Sequence, residues 1–443
     1  MTITRTALRL AFALFTCATA LYAANGSAAR GAPIRALAQD HIVLDRSPDP
    51  AKIPLYTPSI LCLSGGRLVG ANERSGTWRK LGNPWTRIST SDDGGLTWTL
   101  RATAGITHGR LFRSGTSLYY LGHAGDLQIM RSDDNGATWS PQVALSAKQS
   151  WHQTAANVWH AKGNVYLVME RNASTEVRGW GQLAPVLMRA KEGDDLTQRS
   201  SWTFASELVF ADLIPGYREN DLQIDFFGVP FFKQTYPVSN LLARNRPMHP
   251  MGWLETNVVQ ITDPNHGWYD PKGRTFHLFM RTHTGGTGYA AIAKVVENAD
   301  GSMTTSLVKA PSGKTMLFLP FPGGQMRFHV LYDEKTSLYW LLGTQATDSM
   351  TRVEALAPDR FDIPNNERQR LVLHFSKNMV DWCFAGLVAV APGNRGSRHY
   401  ASMDFDGDDL VILARSGDEH AQTAHNGNLI TFHRVRSFRD LVY

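Results

Sequence analysis

From about residue 41 onward, the chain alternates between short runs of β-branched and aromatic residues and clusters of Gly, Asp, Asn and Pro. Residues 59–63, 118–122, 165–170, 276–281, 339–343 and 371–376 are such runs. Their length and their turn-forming borders predict β-strands. No stretch sustains the apolar spacing of a helix in competition with them. The predicted class is all-β.

Two of the turns are copies of each other. Ser91-Asp92-Asp93-Gly94-Gly95-Leu96-Thr97-Trp98 and Ser132-Asp133-Asp134-Asn135-Gly136-Ala137-Thr138-Trp139 both read S-x-D-x-G-x-T-W, start 41 residues apart, and each follow a strand-like run. The chemistry suits a tight hairpin. Asp93 and Asp134 can accept hydrogen bonds from turn N–H groups, Gly95 and Gly136 tolerate positive φ, and Trp98 and Trp139 can bury their rings between neighbouring sheets. The repeat has the period of a propeller blade. A degenerate copy, Ser376-Lys377-Asn378-Met379-Val380-Asp381-Trp382, lies near the end, and residues 195–202 keep little beyond Trp202. Roughly 400 residues divided among four-stranded blades with insertions make about six. Residues 206–246, rich in Phe, Pro and Asp, read as a loop inserted over one face. Strand character at residues 429–435 allows the last strand to complete a blade with the N-terminal strand, closing the ring and removing sheet edges.

Composition narrows the class. The chain has 443 residues, 43% apolar and 19% charged, which is globular rather than disordered. A net charge of +6 suits an anionic ligand as well as ordinary surface charge. No basic run or aromatic-interleaved basic helix points to nucleic acid. Residues 1–24 have the form of a secretory signal: Arg5 and Arg9, then an apolar run too short to span a bilayer. The chain is therefore expected to be secreted or periplasmic, with a flexible leader at 25–40 and one propeller over 41–443. Cys17 falls in the signal, and Cys62 and Cys383 could pair if the first and last blades adjoin but are expected to be two buried free thiols. No Cys/His spacing suits a metal. The acidic run at residues 404–409 lacks the spaced Glu of a calcium loop and reads as a hairpin turn. Gly285-Gly286-Thr287-Gly288 lacks the context of a nucleotide loop and also reads as a turn.

The repeated octapeptide resembles the Asp-box, the neuraminidase repeat of the sialidase superfamily. The resemblance implies a six-bladed sialidase-like propeller, with the box at the turn between the third and fourth strands of a blade and with Asp93 and Asp134 structural. It extends beyond the turns. Leu254-Glu255-Thr256-Asn257-Val258 resembles the segment carrying a catalytic Glu. Phe279-Met280-Arg281-Thr282 and Gln369-Arg370-Leu371-Val372-Leu373 resemble the strands carrying the second and third arginines of a substrate-carboxylate clamp. Tyr400-Ala401-Ser402-Met403 resembles the strand with a Tyr nucleophile. A sugar with a carboxylate on its anomeric carbon repels a carboxylate nucleophile, and a neutral Tyr activated by a Glu avoids that repulsion. Guanidinium groups bind the substrate carboxylate bidentately. The resemblance thus implies Tyr400 as nucleophile, Glu255 as its base partner, Arg281 and Arg370 as clamp, and no cofactor.

Two family positions differ. The family's first clamp Arg is replaced in Tyr56-Thr57-Pro58-Ser59-Ile60. Between Gly76 and Thr90, where the acid Asp belongs, there is neither Asp nor Glu; Glu73 and Arg74 lie just before. Further candidates come from the residues themselves. Trp151-His152-Gln153 has the composition to stack a sugar ring and bond its hydroxyls, with core packing of Trp151 the alternative. His108 and His123 can serve as acid or base, and His399 falls on the strand face opposite Tyr400. Glu255, Arg281, Arg370 and Tyr400 also have plain structural uses as strand residues and salt-bridge partners. The expected function is exo-acting hydrolysis of a terminal acidic sugar, sialic acid or related, on a glycan partner. Two alternatives stay open: β-elimination of uronic-acid glycans, which needs no acid Asp, and glycan binding without catalysis.

Overall fold

In the computed structural model the described residues are 35–153, 156–174, 176–177, 179–214, 217, 251–283, 287–310, 312–348, 351, 355–357 and 366–443. The signal-like segment, residues 25–34 of the leader, residues 218–246 of the inserted loop and Gly285-Gly286 lie outside them. Among the described residues the strand-and-turn pattern becomes six antiparallel blades. Their inner strands are Leu55–Cys62 in blade 1, Thr107–Ser114 in blade 2, Trp151–Gln153 with Trp159–Ala161 in blade 3, Trp253–Val259 in blade 4, His329–Asp333 in blade 5 and Ser397–Asp406 in blade 6. The ring closes as the pattern anticipated. Ile42–Arg46 is the outermost strand of blade 6 and pairs with Leu429–Val435, Ile42 opposite Phe432 and Arg46 opposite Leu429. No helix among the described residues is long and apolar enough to cross a membrane.

The repeated octapeptide makes the same turn twice, between the third and fourth strands of blades 1 and 2. Asp93 accepts the Thr97 N–H (2.9 Å) and hydroxyl (2.6 Å), and Ser91 Oγ accepts the Gly95 N–H (2.9 Å). Asp134, Thr138, Ser132 and Gly136 repeat these bonds at 2.8, 2.6 and 2.9 Å. The bonds hold both carboxyls down at about 2, so they are spent on the turn. In the degenerate copy, Asn378 Oδ1 accepts the N–H groups of Val380 and Asp381. Each box reaches back over the preceding blade: the Trp98 ring meets Phe432 of blade 6 edge-on at 5.8 Å, and Trp139 packs on the cluster around Val69 and Ile88. Gly95 has φ +95°, and a Cβ there would fall 2.3 Å from the Phe432 ring. Gly95→Ala is therefore expected to destabilise the chain by about 2 kcal/mol or more, from strain and overlap together, as read from its denaturant midpoint.

The apolar core lies between facing blades. A second, polar seam runs round the axis. Ser59 accepts the N–H of Leu111 (2.9 Å), Asn157 that of Val258 (2.8 Å), Asn257 that of Val330 (2.9 Å), His329 that of Met403 (3.1 Å) and Ser402 that of Ile60 (3.2 Å). A side chain on one inner strand thus pairs a backbone donor of the next, groups that would cost free energy if buried unpaired. From the corresponding place in blade 2, Arg110 instead crosses the axis to Ser402 (2.5 Å) and His329 (2.8 Å). Cys62 and Cys383 are free and half-buried, and burial pushes the Cys62 thiol up to about 12. Residues 404–409 make the hairpin turn between the first two strands of blade 6, where Asp406 and Asp409 hold Arg434.

Candidate active site

The inner strands of blades 1, 2, 4 and 6 share one irregularity. Where each pairs with its neighbour the register slips, between Tyr56 and Ser59, Thr107 and Arg110, Leu254 and Asn257, and His399 and Ser402. In each slip a non-glycine residue adopts positive φ: Thr57 (45°), His108 (52°), Glu255 (61°) and Tyr400 (51°). Such bulges re-aim side chains, and these conformations persist only where the surroundings impose them. Two of the four are the residues expected to carry the chemistry.

The second strands of five blades supply the supports. Glu73, His123, Arg281 and Arg415 stand opposite Tyr56, Thr107, Leu254 and His399, and Glu170 stands opposite Gln153. Glu73 accepts the His108 N–H at 2.6 Å and the Thr107 hydroxyl at 2.8 Å. Glu170 accepts the Thr256 N–H at 2.8 Å and hydroxyl at 2.7 Å. A buried carboxyl from one blade thus clamps the bulge of the next. Burial raises both, Glu170 to about 8, so Glu170 is uncharged at neutral pH. That spares a second negative charge beside Glu255.

At the centre, Arg281 donates to the Tyr400 hydroxyl at 2.5 Å and ion-pairs with Glu255 at 3.3 Å. Its Nε donates to the Gln325 carbonyl at 2.8 Å, and the guanidinium lies over the Trp180 ring at 4.8 Å. Burial works against its charge, but Tyr400 and Glu255 outweigh burial and hold its pKa above the ordinary value. Three more buried guanidinium groups surround the Tyr400 ring: Arg327 at 5.9 Å, Arg368 at 5.6 Å and Arg415 at 5.2 Å from its centroid. Burial pulls Arg368 to about 9 and Arg415 to about 10, which leaves both charged at neutral pH. Burial raises the Tyr400 phenol against the opposing pull of Arg281, so the resting hydroxyl is neutral. A cavity of about 140 Å³ opens between Tyr56, Thr57, His108, Arg327, Tyr400, Arg415 and His425.

The structure brings together three of the six site residues anticipated from sequence: Tyr400, Glu255 and Arg281. Arg370 is not at the ring of Tyr400. It is partly exposed and ion-pairs with Glu367 at 2.6 Å, while Arg368, two residues earlier, donates to His399 at 2.9 Å and faces the ring. Trp151 is a core residue: 4% exposed, packed in the cluster between blades 2 and 3 and against Phe204. His152 lies at the site through its carbonyl, which meets His108 Nδ1 and His123 Nε2, each at 2.8 Å. Thr57 supplies no guanidinium, but Arg415 stacks on the neighbouring Tyr56 at 3.9 Å. Arg327, Arg368 and Arg415 were not anticipated. For Arg415 a signal exists: like Glu73, Glu170 and Arg281, it is a charge near the end of a second strand whose middle is largely apolar.

No protein-family model matches this sequence, and no curated protein matches it. Solved structures do. The sialidase of Trypanosoma rangeli in complex with the inhibitor DANA superposes with a TM-score of 0.51 at 12% identity, over 91% of this chain and 60% of that one. A Dyadobacter fermentans protein of unknown function gives 0.50 at 13% identity, over 91% and 99%. The GH93 α-L-arabinofuranosidase of Fusarium graminearum with arabinobiose gives 0.48 at 12%, over 90% and 98%. The fold is that of the sialidase-like six-bladed propellers, in a chain far diverged in sequence.

Proposed function

We propose that this chain is a secreted or periplasmic, exo-acting glycoside hydrolase of sialidase type that removes a terminal acidic sugar, sialic acid or a relative. One observation carries the reading: Arg281 bridges the Tyr400 hydroxyl and Glu255, and three further buried guanidiniums surround the Tyr400 ring. Few purposes other than an anionic ligand reward the burial of so much positive charge, since each desolvated cation costs free energy. A substrate carboxylate against Arg327, Arg368 and Arg415 sets the anomeric carbon over Tyr400. Glu255 takes the phenol proton as the oxygen attacks, and the pocket's cations stabilise the phenolate character. Arg415 supplies positive charge beside Tyr56, where the family's first clamp Arg is missing. The small cavity supports action on a chain end.

The test is release of fluorophore from aryl glycosides of acidic sugars, an α-sialoside first, by the intact protein. Release supports hydrolysis. Silence across sialosides and uronosides, from folded protein, overturns it. A second reading has its own observation: no carboxylate is among the residues lining the cavity, whereas His108 and Tyr400 are. That pair suits β-elimination, with an imidazole removing the proton beside a uronate carboxylate and a phenol protonating the leaving oxygen. An unsaturated, ultraviolet-absorbing product from uronic-acid glycans distinguishes it.

A further inference from the structure

We propose that His108 is the proton donor and acceptor of this site, a role that rests on the hydrolase reading above. The first ground is position. His108 occupies in blade 2 the bulge that Glu255 and Tyr400 occupy in blades 4 and 6, with the same left-handed backbone. Glu73 holds that backbone in place through the His108 N–H. An imidazole is thereby aimed into the cavity that Tyr400, Arg327 and Arg415 also line.

The second ground is the tautomer. The His152 carbonyl lies 2.8 Å from both His108 Nδ1 and His123 Nε2. A carbonyl only accepts, so we assign a hydrogen to both nitrogens, and their own 3.2 Å separation is then two donors sharing one acceptor. Neutral His108 therefore keeps its lone pair on Nε2. No hydrogen bond or ion pair to Nε2 is made by a protein group among the described residues.

The third ground is elimination of the alternatives. Glu73 spends one oxygen on the His108 N–H and the other on the Thr107 hydroxyl, and it is fully enclosed. Glu170 is enclosed and tied to Thr256. Glu255 is the partner of Arg281 and Tyr400. His425 and Tyr56 also line the cavity, but burial and Arg415 push the His425 ring down to about 2 and the Tyr56 hydroxyl donates to Asn426. That leaves His108 as the group assigned to exchange a proton with a ligand there. Burial and His152 push its ring down to about 4, so the empty site holds it neutral. A bound carboxylate favours its protonated form, and a proton on such a ring is readily given up.

The steps balance. In the first, the Tyr400 oxygen bonds the anomeric carbon and the glycosidic C–O bond breaks. The phenol proton passes to Glu255, and the proton that His108 Nε2 takes up from solvent as the substrate carboxylate binds passes to the leaving oxygen. In the second, water bonds the anomeric carbon and gives a proton to Nε2, the Tyr400–carbon bond breaks, and the phenol regains its proton from Glu255.

The experiment compares His108→Gln with the wild type on two glycosides of whichever acidic sugar the wild type cleaves, one with a nitrophenol and one with an alkyl leaving group. An acid is needed only when the leaving group is poor. The variant is expected to lose about a hundredfold or more on the alkyl glycoside and far less on the aryl one, with azide restoring turnover of the latter. Equal losses on both substrates overturn the role while leaving the hydrolase reading intact. A wild type that cleaves neither overturns both. Ring nitrogen shifts of His108 in the wild type give a check independent of the variant's folding: a hydrogen on Nδ1 is expected, and a hydrogen on Nε2 overturns the assignment.

Discussion

Tyr400→Phe is expected to lower turnover of an acidic aryl glycoside by about a thousandfold or more, the scale seen when a covalent nucleophile is removed. The substitution deletes one oxygen and keeps the ring that Arg327, Arg368 and Arg415 surround. Substrate affinity should therefore change little, because the guanidinium groups that hold a carboxylate remain. The loss belongs in kcat, with KM within a few-fold. The melting temperature should stay close to the wild type, since the lost bond to Arg281 leaves that group paired with Glu255 and the Gln325 carbonyl. Turnover kept within tenfold of the wild type would remove Tyr400 from the chemistry. A raised KM at unchanged kcat would make it a binding residue.

Arg281→Met is expected to be the most costly single change at the site. Arg281 is 3% exposed and Glu255 is fully enclosed. Taking the cation away strands a carboxylate inside the protein, at a cost of about 3–5 kcal/mol. Two further partners, the Gln325 carbonyl and the Tyr400 hydroxyl, lose their donor as well. Denaturant midpoints check the size. The double variant Arg281→Met/Glu255→Gln is expected to recover about half the loss or more, because groups in contact do not contribute additively. A double variant as unstable as the sum of its singles would show that Arg281 acts through packing on Trp180 rather than through charge.

The fold was legible where local chemistry is decisive. An Asp-box turn is closed by bonds within eight residues, so Ser91, Asp93, Gly95, Thr97 and Trp98 announce it wherever they stand together. The closing strand was legible because a ring needs its last strand paired. The site was legible in part. Tyr400, Glu255 and Arg281 lie on strands with recognisable neighbours, and Tyr400 and Glu255 each stand at a bulge. In the segment of Arg370 it is Arg368 that faces the Tyr400 ring. The residue that reaches Tyr400 is chosen by a bond between the Arg398 N–H and the Arg368 carbonyl, a pairing across 30 residues that no local pattern reveals. Trp151 illustrates the same limit. Its neighbours His152 and Gln153 look like sugar-binding residues, yet its own ring serves the seam between two blades. The support roles of Glu73 and Glu170 were not legible because each serves the following blade: Glu73 holds His108, and Glu170 holds the backbone of Thr256.

The pairing of Ile42 with Phe432 also sets an order of events. The strand made first in blade 6 can find its partners only after the remainder of the ring exists. Contacts so remote in sequence make assembly slow, and until they form, blade 6 lacks its outermost strand and Leu429–Val435 offers an unpaired edge to any neighbouring chain. A partly synthesised chain therefore cannot lock. It stays open until nearly all of it has emerged. Once Ile42–Arg46 seats, the same pairing acts as a latch between the two ends of the domain, and unfolding has to begin by releasing it or by parting two blades elsewhere.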